Sequence, residues 1–405
     1  MKPLARALPM LALWIASVVL SCSMTSAEEP MSLTQRRASR FSDACTVRDK
    51  PLVHSTQFLP RDTSQPVAAQ MEQVLDDLLQ AVKLHPEDGD EEGFGDLFKL
   101  NLYVSDESAV KEAAQVLRSR FVQHRRPAVS WVVTQLTDSK AKVAADAVVI
   151  TKRSPAQVER SREAGSTGPA RVAILPVGPR VYISGQAEKG DGSLADATRQ
   201  TMAGLVKTLE HLGLSRRDVV QLKAFLTPMK DASVAVKEMI AAFPGETPPP
   251  MVLVEWESSL PIEIELIAAS PATKETQKAE PLEFITPPWM KASPVFCRVV
   301  RVNHPATIYI SDRYGETDKR DSAEEVRDLY GSLRRIVETS GSDLQHLAKA
   351  TYYVSTDEVS SQLNTVRPEF YDPERPPAAS KAKVRGTGRT GRTITLDMIA
   401  VPKGP

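Results

Sequence analysis

Aromatic side chains are scarce in this 405-residue chain: Phe, Trp and Tyr together make up 5% of it. No stripe of them runs beside the basic residues, which argues against a platform for stacking single-stranded bases. Charge of one sign is equally lacking. Lys plus Arg and Asp plus Glu stand at 51 each, so no net field draws the chain toward nucleic acid or an anionic membrane. The six histidines (His54, His85, His124, His211, His304 and His346) are scattered, with no pair at metal-ligand spacing. No Gly-x-Ser-x-Gly elbow offers a hydrolase nucleophile, and no Gly-Lys-Ser/Thr closes a phosphate loop. Cysteine is down to three. With Cys22 near the N-terminus set aside, Cys45 and Cys297 remain, and either a disulfide or two buried free thiols fits that pair.

Long apolar runs are absent but for one. Lys2 and Arg6 precede the stretch from Ala7 to Leu20, and small residues follow, which is the pattern of a secretory signal over residues 1–27. Cleavage after Ala27 fits, and Val19-Leu-Ser-Cys22 also resembles a bacterial lipobox, so lipid on Cys22 is the one expected route to a membrane. The run is short for a membrane span. The sequence therefore predicts an exported protein, periplasmic or extracellular.

What the chain does have is a long internal repeat. Lys99-Leu-Asn-Leu-Tyr103-Val-Ser, Gln221-Leu-Lys-Ala-Phe225-Leu-Thr and Lys349-Ala-Thr-Tyr-Tyr353-Val-Ser are strands of one type. Pro127, Pro249 and Pro377 follow at matching steps, and Asp146, Glu265 and Asp397 lie in the last strand of each copy. The period exceeds a solenoid unit and matches a small domain. Three domains are predicted over 41–153, 169–271 and 292–403, separated by polar linkers at 154–168 and 272–292.

The middle copy shows the element order best. Val172 to Leu175 and Arg180 to Ser184 read as strands, and Ala197 to Leu212 as an amphipathic helix closed by Gly213. Val219 to Leu226, Asp231 to Ala242, Met251 to Glu257 and Ile262 to Ala268 complete a β-β-α-β-α-β-β, α+β unit. Helices on one sheet face leave the other face needing a cover. Three copies can cover one another, which predicts a single-chain pseudo-trimer that is monomeric in solution. Tyr103, Phe225 and Tyr353 are expected in its core.

Val181-Tyr-Ile-Ser-Gly-Gln186, Arg199-Gln-Thr-Met202, Leu209-Glu-His-Leu-Gly-Leu214, Pro248-Pro-Pro, Val254-Glu255 and Ile262-Glu-Ile-Glu-Leu-Ile-Ala268 resemble the RidA/YjgF family, also called L-PSP, of reactive-intermediate deaminases. Copies one and three look like degenerate relatives. The resemblance implies a chorismate-mutase-like unit, trimeric assembly, clefts between units, and no metal or organic cofactor. It also implies an arginine after the Pro-Ala that clamps a substrate carboxylate, and a glutamate that positions the hydrolytic water. The clamp position falls on Met251, Val129 and Ala379 in the three copies, none of which can form a bidentate contact with a carboxylate. The glutamate survives as Glu263 only, with Ala144 and Thr395 at its equivalents. Ser184 and Gly185 keep the family's Ser-Gly, where the other copies have Ser55-Thr56 and Ser311-Asp312. Asn364 corresponds to a cleft asparagine.

Read without the family, Glu263 and Glu265 are two apart on a strand and share a face. They suit either a general base or charges matched by a Lys or Arg across a domain interface. The loop from Lys381 to Arg392 is the most basic stretch, and suits a solvated hairpin, an anion site or an arginine that reaches a neighbouring cleft. The expected site is Glu263 as catalytic group with Ser184, Gly185, Met251 and Asn364 binding substrate. The expected function is to bind a small, carboxylate-bearing metabolite, with imine deamination lost. Enamine or imine hydrolysis through Glu263 is the alternative, and ribonuclease activity the weaker one.

Overall fold

The computed structural model describes residues 31–35, 41–82, 96–121, 126–273 and 279–404. The expected leader over 1–27, with Cys22, lies outside the described residues.

A short strand, β1 (Met31–Gln35), pairs with the first strand of the first run. That run comprises β2 (Ser42–Arg48), β3 (Leu52–Ser55), α1 (Val67–Val82), β4 (Leu97–Val104), α2 (Glu107–Arg120), β5 (Ala128–Val133) and β6 (Val143–Ile150). After β7 (Glu159–Ser161), the same order returns as β8 (Val172–Leu175), β9 (Arg180–Gln186), α3 (Leu194–His211), β10 (Val219–Leu226), α4 (Ala232–Ala241), β11 (Met251–Glu255) and β12 (Ile262–Ala269). After β13 (Leu282–Ile285) it appears again: β14 (Val299–Val302), β15 (Ala306–Arg313), α5 (Ala323–Thr339), β16 (Leu347–Val354), α6 (Asp357–Val366), β17 (Ala378–Lys383) and β18 (Ile394–Ala400).

Local chemistry sets the helix ends. Ser193, Ser322 and Thr356 cap α3, α5 and α6 with a side-chain oxygen on a first-turn N–H, and Asp106 does so for α2. Gly213 adopts φ +73 just past α3, and Leu214 N–H then reaches Leu209 O at 2.8 Å. This left-handed closure is the one its position in the sequence predicts.

In each run the third and fourth strands pair in parallel (β4–β5, β10–β11, β16–β17), while the long last strand lies antiparallel beside the third. The helices cover one face of each sheet and form three apolar cores, one per run. Strands also pass between runs. β8 pairs with β3, β14 with β9, and β2 with β15, all antiparallel, so the pairings close a cycle. The opposite sheet faces meet in two mixed clusters. One gathers Cys45, Tyr182, Cys297 and Tyr309, and the other Tyr103, Phe225 and Tyr353 with Trp256.

The two segments expected as linkers are more structured than their composition suggests. β7 pairs with β8 and β13 with β14. In the first, Arg160 donates to Val219 O at 3.0 Å and Thr247 O at 2.7 Å, and lies over the Phe243 ring. Polar composition reads as solvated until a guanidinium finds backbone acceptors in another segment.

Cys45 and Cys297 are both buried free thiols. Burial raises the pKa of each, to about 11 for Cys45.

Candidate functional site

The edge strand β17 runs beside β9 of the preceding run, and the Ser-Gly of β9 makes the junction. Ala379 N–H donates to Ser184 Oγ at 2.8 Å, and Ser184 Oγ donates to Cys297 O. Gly185 N–H donates to Ser380 Oγ at 3.2 Å. Glu263 reaches this junction from β12. Its carboxyl lies against Gly185, where a Cβ would collide with it, so a larger residue there would displace the Glu263 side chain.

Glu263 is partly exposed, yet its pKa is pushed up to about 7. Burial is the main cause and the negative Glu265 adds to it. A hydrogen bond with Ser380 and the charges of Lys381 and Arg298 pull the other way.

A cation enters the same cleft. Alternation along β17 turns Ala379, Lys381 and Lys383 toward α6, while Ala378 and Ala382 join the clusters shared between runs. Lys381 Nζ donates to Ser360 Oγ at 2.9 Å and to Asn364 Oδ1 at 3.1 Å, both on α6. Burial lowers its pKa and the nearby Arg367 lowers it further, against the opposing pull of Glu263.

Ser184, Gly185 and Glu263 are thus brought together, and Asn364 joins them through Lys381 from the third run. Met251 is placed apart. Its carbonyl accepts from Gln57 N at 3.1 Å and Thr56 Oγ1 at 2.8 Å, and its side chain belongs to the apolar core of the second run. The clamp position facing Glu263 is Ala379, supplied by the next run. The arginines of the basic loop are engaged elsewhere: Arg385 with Glu255 at 3.0 Å, Arg389 over the Tyr314 ring, and Arg392 on Glu316 O and Thr317 O. Lys381, Ser380, Ser360 and Arg298 were not among the expected site residues. The available signal was the period of two along β17, which places Lys381 on the face of the clamp position.

The two equivalent junctions are built differently. At one, Gln57 Nε2 fills the space by donating to Leu253 O at 3.1 Å. At the other, Asp312 replaces the glycine, accepts from Tyr314 OH at 2.8 Å and from Trp131 N–H at 3.3 Å, and has its pKa raised by burial.

Glu265 lies on the same face of β12 as Glu263, two residues further along, at the centre where the three runs meet. Lys349 pairs with Glu265 and Lys99 with Asp397, each at 2.7 Å and each across two runs. Asp146 instead accepts from Tyr103 OH at 2.6 Å and Asn101 Nδ2 at 2.9 Å, and burial raises its pKa. Burial works against the Lys223 ammonium, but Tyr353, Asp146, Glu265 and Asp397 outweigh it and raise its pKa. Lys99, Asn101, Asp146, Lys223, Glu265, Lys349 and Asp397 line, with His54, a cavity of about 40 Å³, room for a few waters. His54 is held neutral, its pKa lowered to about 3 by burial and by Arg180. Among the described residues, no group of three or more His, Cys, Asp or Glu is poised to hold a metal, and no helix is long and apolar enough to cross a membrane.

Comparison with known proteins finds a match over residues 169–270 to the family described as Endoribonuclease L-PSP. A RutC family protein of Pyrococcus horikoshii is 37% identical over 98 residues, which cover 23% of this chain and 72% of that protein. Among solved structures, a YjgF-family protein of Neisseria meningitidis is 21% identical, covering 31% of this chain and 97% of its own, with a TM-score of 0.23. A Rid-family protein of unknown function from Yersinia pestis is 21% identical, covering 28% and 99%, with a TM-score of 0.25.

Proposed function

Because the chain belongs to the RidA/YjgF (L-PSP) family, we propose that it is a single-chain pseudo-trimer that binds a small carboxylate-bearing metabolite in the cleft between its second and third repeats. The observation that carries this reading is the meeting of Glu263 with Lys381 at one junction, where Ser184, Gly185 and Ser380 add hydrogen-bonding groups. A lysine is a point charge rather than a planar fork, so it attracts a carboxylate without fixing its orientation. That supports binding better than the family's imine chemistry, which relies on a held substrate. The leader expected at residues 1–27 makes this a proposal for an exported protein.

Hydrolysis of imines or enamines is the second reading, favoured by Glu263. A carboxyl titrating near 7 can take a proton from water and return it. Thermal-shift and calorimetric titration with 2-oxobutanoate, alongside turnover of 2-iminobutanoate, separate the two. Stabilisation that vanishes in Lys381→Met, without turnover, is the expected result. Turnover abolished by Glu263→Ala would instead establish the enzyme. A ligand effect equally strong in Lys381→Met would remove the cleft from consideration.

A further inference from the structure

Lysines in folded proteins are ordinarily well solvated or paired with a carboxylate, and Lys381 is only partly solvated and forms no ion pair among the described residues. It is half-buried, and its two hydrogen-bond acceptors, Ser360 Oγ and Asn364 Oδ1, are both neutral. Among the described residues no carboxylate lies within ion-pair distance of it. Its neighbour Arg367 is a second cation, 6% exposed, stacked over the Tyr352 ring with its Nε unpartnered. Two cations share one region in which the nearest acid, Glu263, readily carries a proton. An amine so placed is easily deprotonated, and neutral acceptors hold it without quenching its lone pair.

We propose that Lys381 is a nucleophile that condenses with the carbonyl of a small 2-oxo acid to form an imine in this cleft. This rests on the reading of the cleft as a small-carboxylate site. The neutral Nζ attacks the carbonyl carbon, the carbonyl π pair moves to oxygen, and one proton passes from nitrogen to oxygen, giving a carbinolamine. The C–O bond then breaks. The hydroxyl leaves as water with a proton supplied by the Glu263 carboxyl, directly or through one water, and the remaining N–H proton returns to Glu263. Amine and 2-oxo acid become imine and water, with no oxidant or reductant required. The positive charge of Arg367 draws the ligand carboxylate toward the amine. Ser380 and the Ser184–Gly185 step of β9 meet at the same junction.

Borohydride reduction tests the inference, because it converts a reversible imine into a permanent secondary amine. The full chain is incubated with 2-oxobutanoate, treated with sodium borohydride, and followed by intact mass and peptide mapping. One adduct per chain, located on Lys381 and lost in Lys381→Arg, is expected. Melting temperatures of wild type and Lys381→Arg check that the variant is folded, and Lys381→Met serves if it is not. No adduct, or adduct spread over exposed lysines, overturns the proposal. A parallel calorimetric titration with 2-hydroxybutanoate, which has no carbonyl, separates the two ideas. Binding of that analogue without adduct from 2-oxobutanoate sinks the nucleophile and leaves the binding cleft standing. Absence of both sinks the two together.

Discussion

At the scale of single residues, Glu263 and Lys381 are shifted in opposite directions by the same burial. The protonated form of Glu263 persists in the folded chain up to a pKa of about 7, against an ordinary 4.5. Between those values the folded state holds a proton that the unfolded state has released, so stability falls as pH rises through that window. Below 4.5 the effect is absent, and above 7 the cost is fully present. Glu263→Gln removes it. The variant is expected to gain on the order of 2 kcal/mol over wild type at pH 8 and nothing at pH 4, read by urea denaturation at each pH. An equal gain at both would mean that Glu263 titrates normally. The sequence shows Glu263 and its neighbours on β9 plainly, but not Lys381's part in the cleft. That depends on β17 of one repeat lying beside β9 of another, a contact between residues 195 positions apart.

At the scale of elements, β12 divides its two glutamates between different environments. Alternation along β12 holds, since Ile262, Ile264, Leu266 and Ala268 all join the apolar core of the second run, so both glutamates share the opposite face and differ in their position along it, while the register shift against β9 falls between Ile183 and Gln186. Glu263 goes to the cleft, and Glu265 is buried at the centre on Lys349 of β16. The alternative of a charge matched across an interface therefore describes Glu265, while Glu263 has no such ion-paired lysine among the described residues. Removing one member of a buried pair strands the other. Lys349→Met is expected to destabilise the chain by about 3 kcal/mol, with most of it recovered in the double variant Lys349→Met/Glu265→Leu, read as a double-mutant cycle in urea. Additive losses would show that the pair contributes nothing as a unit. Strand order and helix positions were legible because their periodicity and caps are local. The short strands β7 and β13 were not, because their partners are supplied by other segments.

At the scale of the whole molecule, a sheet with helices on one face requires a cover for the other, and here the cover comes from within the chain. Each repeat's first strand pairs with the preceding repeat, that of the first repeat with the third, and Tyr103, Phe225 and Tyr353 pack in one cluster at the centre. An oligomer would need a further exposed apolar surface, and the large apolar side chains that are exposed, Val177, Val234 and Trp289, are few among the described residues. Light scattering on the purified protein is expected to give one chain per particle at micromolar concentration. A stable trimer of chains would contradict internal closure.

The sequence by itself determined the repeat, the α+β order of its elements, the family, and the glutamate with its Ser-Gly step, since all of these are written in local pattern and spacing. Only the tertiary structure decided which repeat faces which. That choice put Ala379 rather than Met251 opposite Glu263, sent Glu265 inward to Lys349, and brought Lys381 to the cleft. The physical reason is that a site between repeats is set by strand pairing across the fold, and pairing partners distant in the chain leave no mark on the residues that lie next to one another in it.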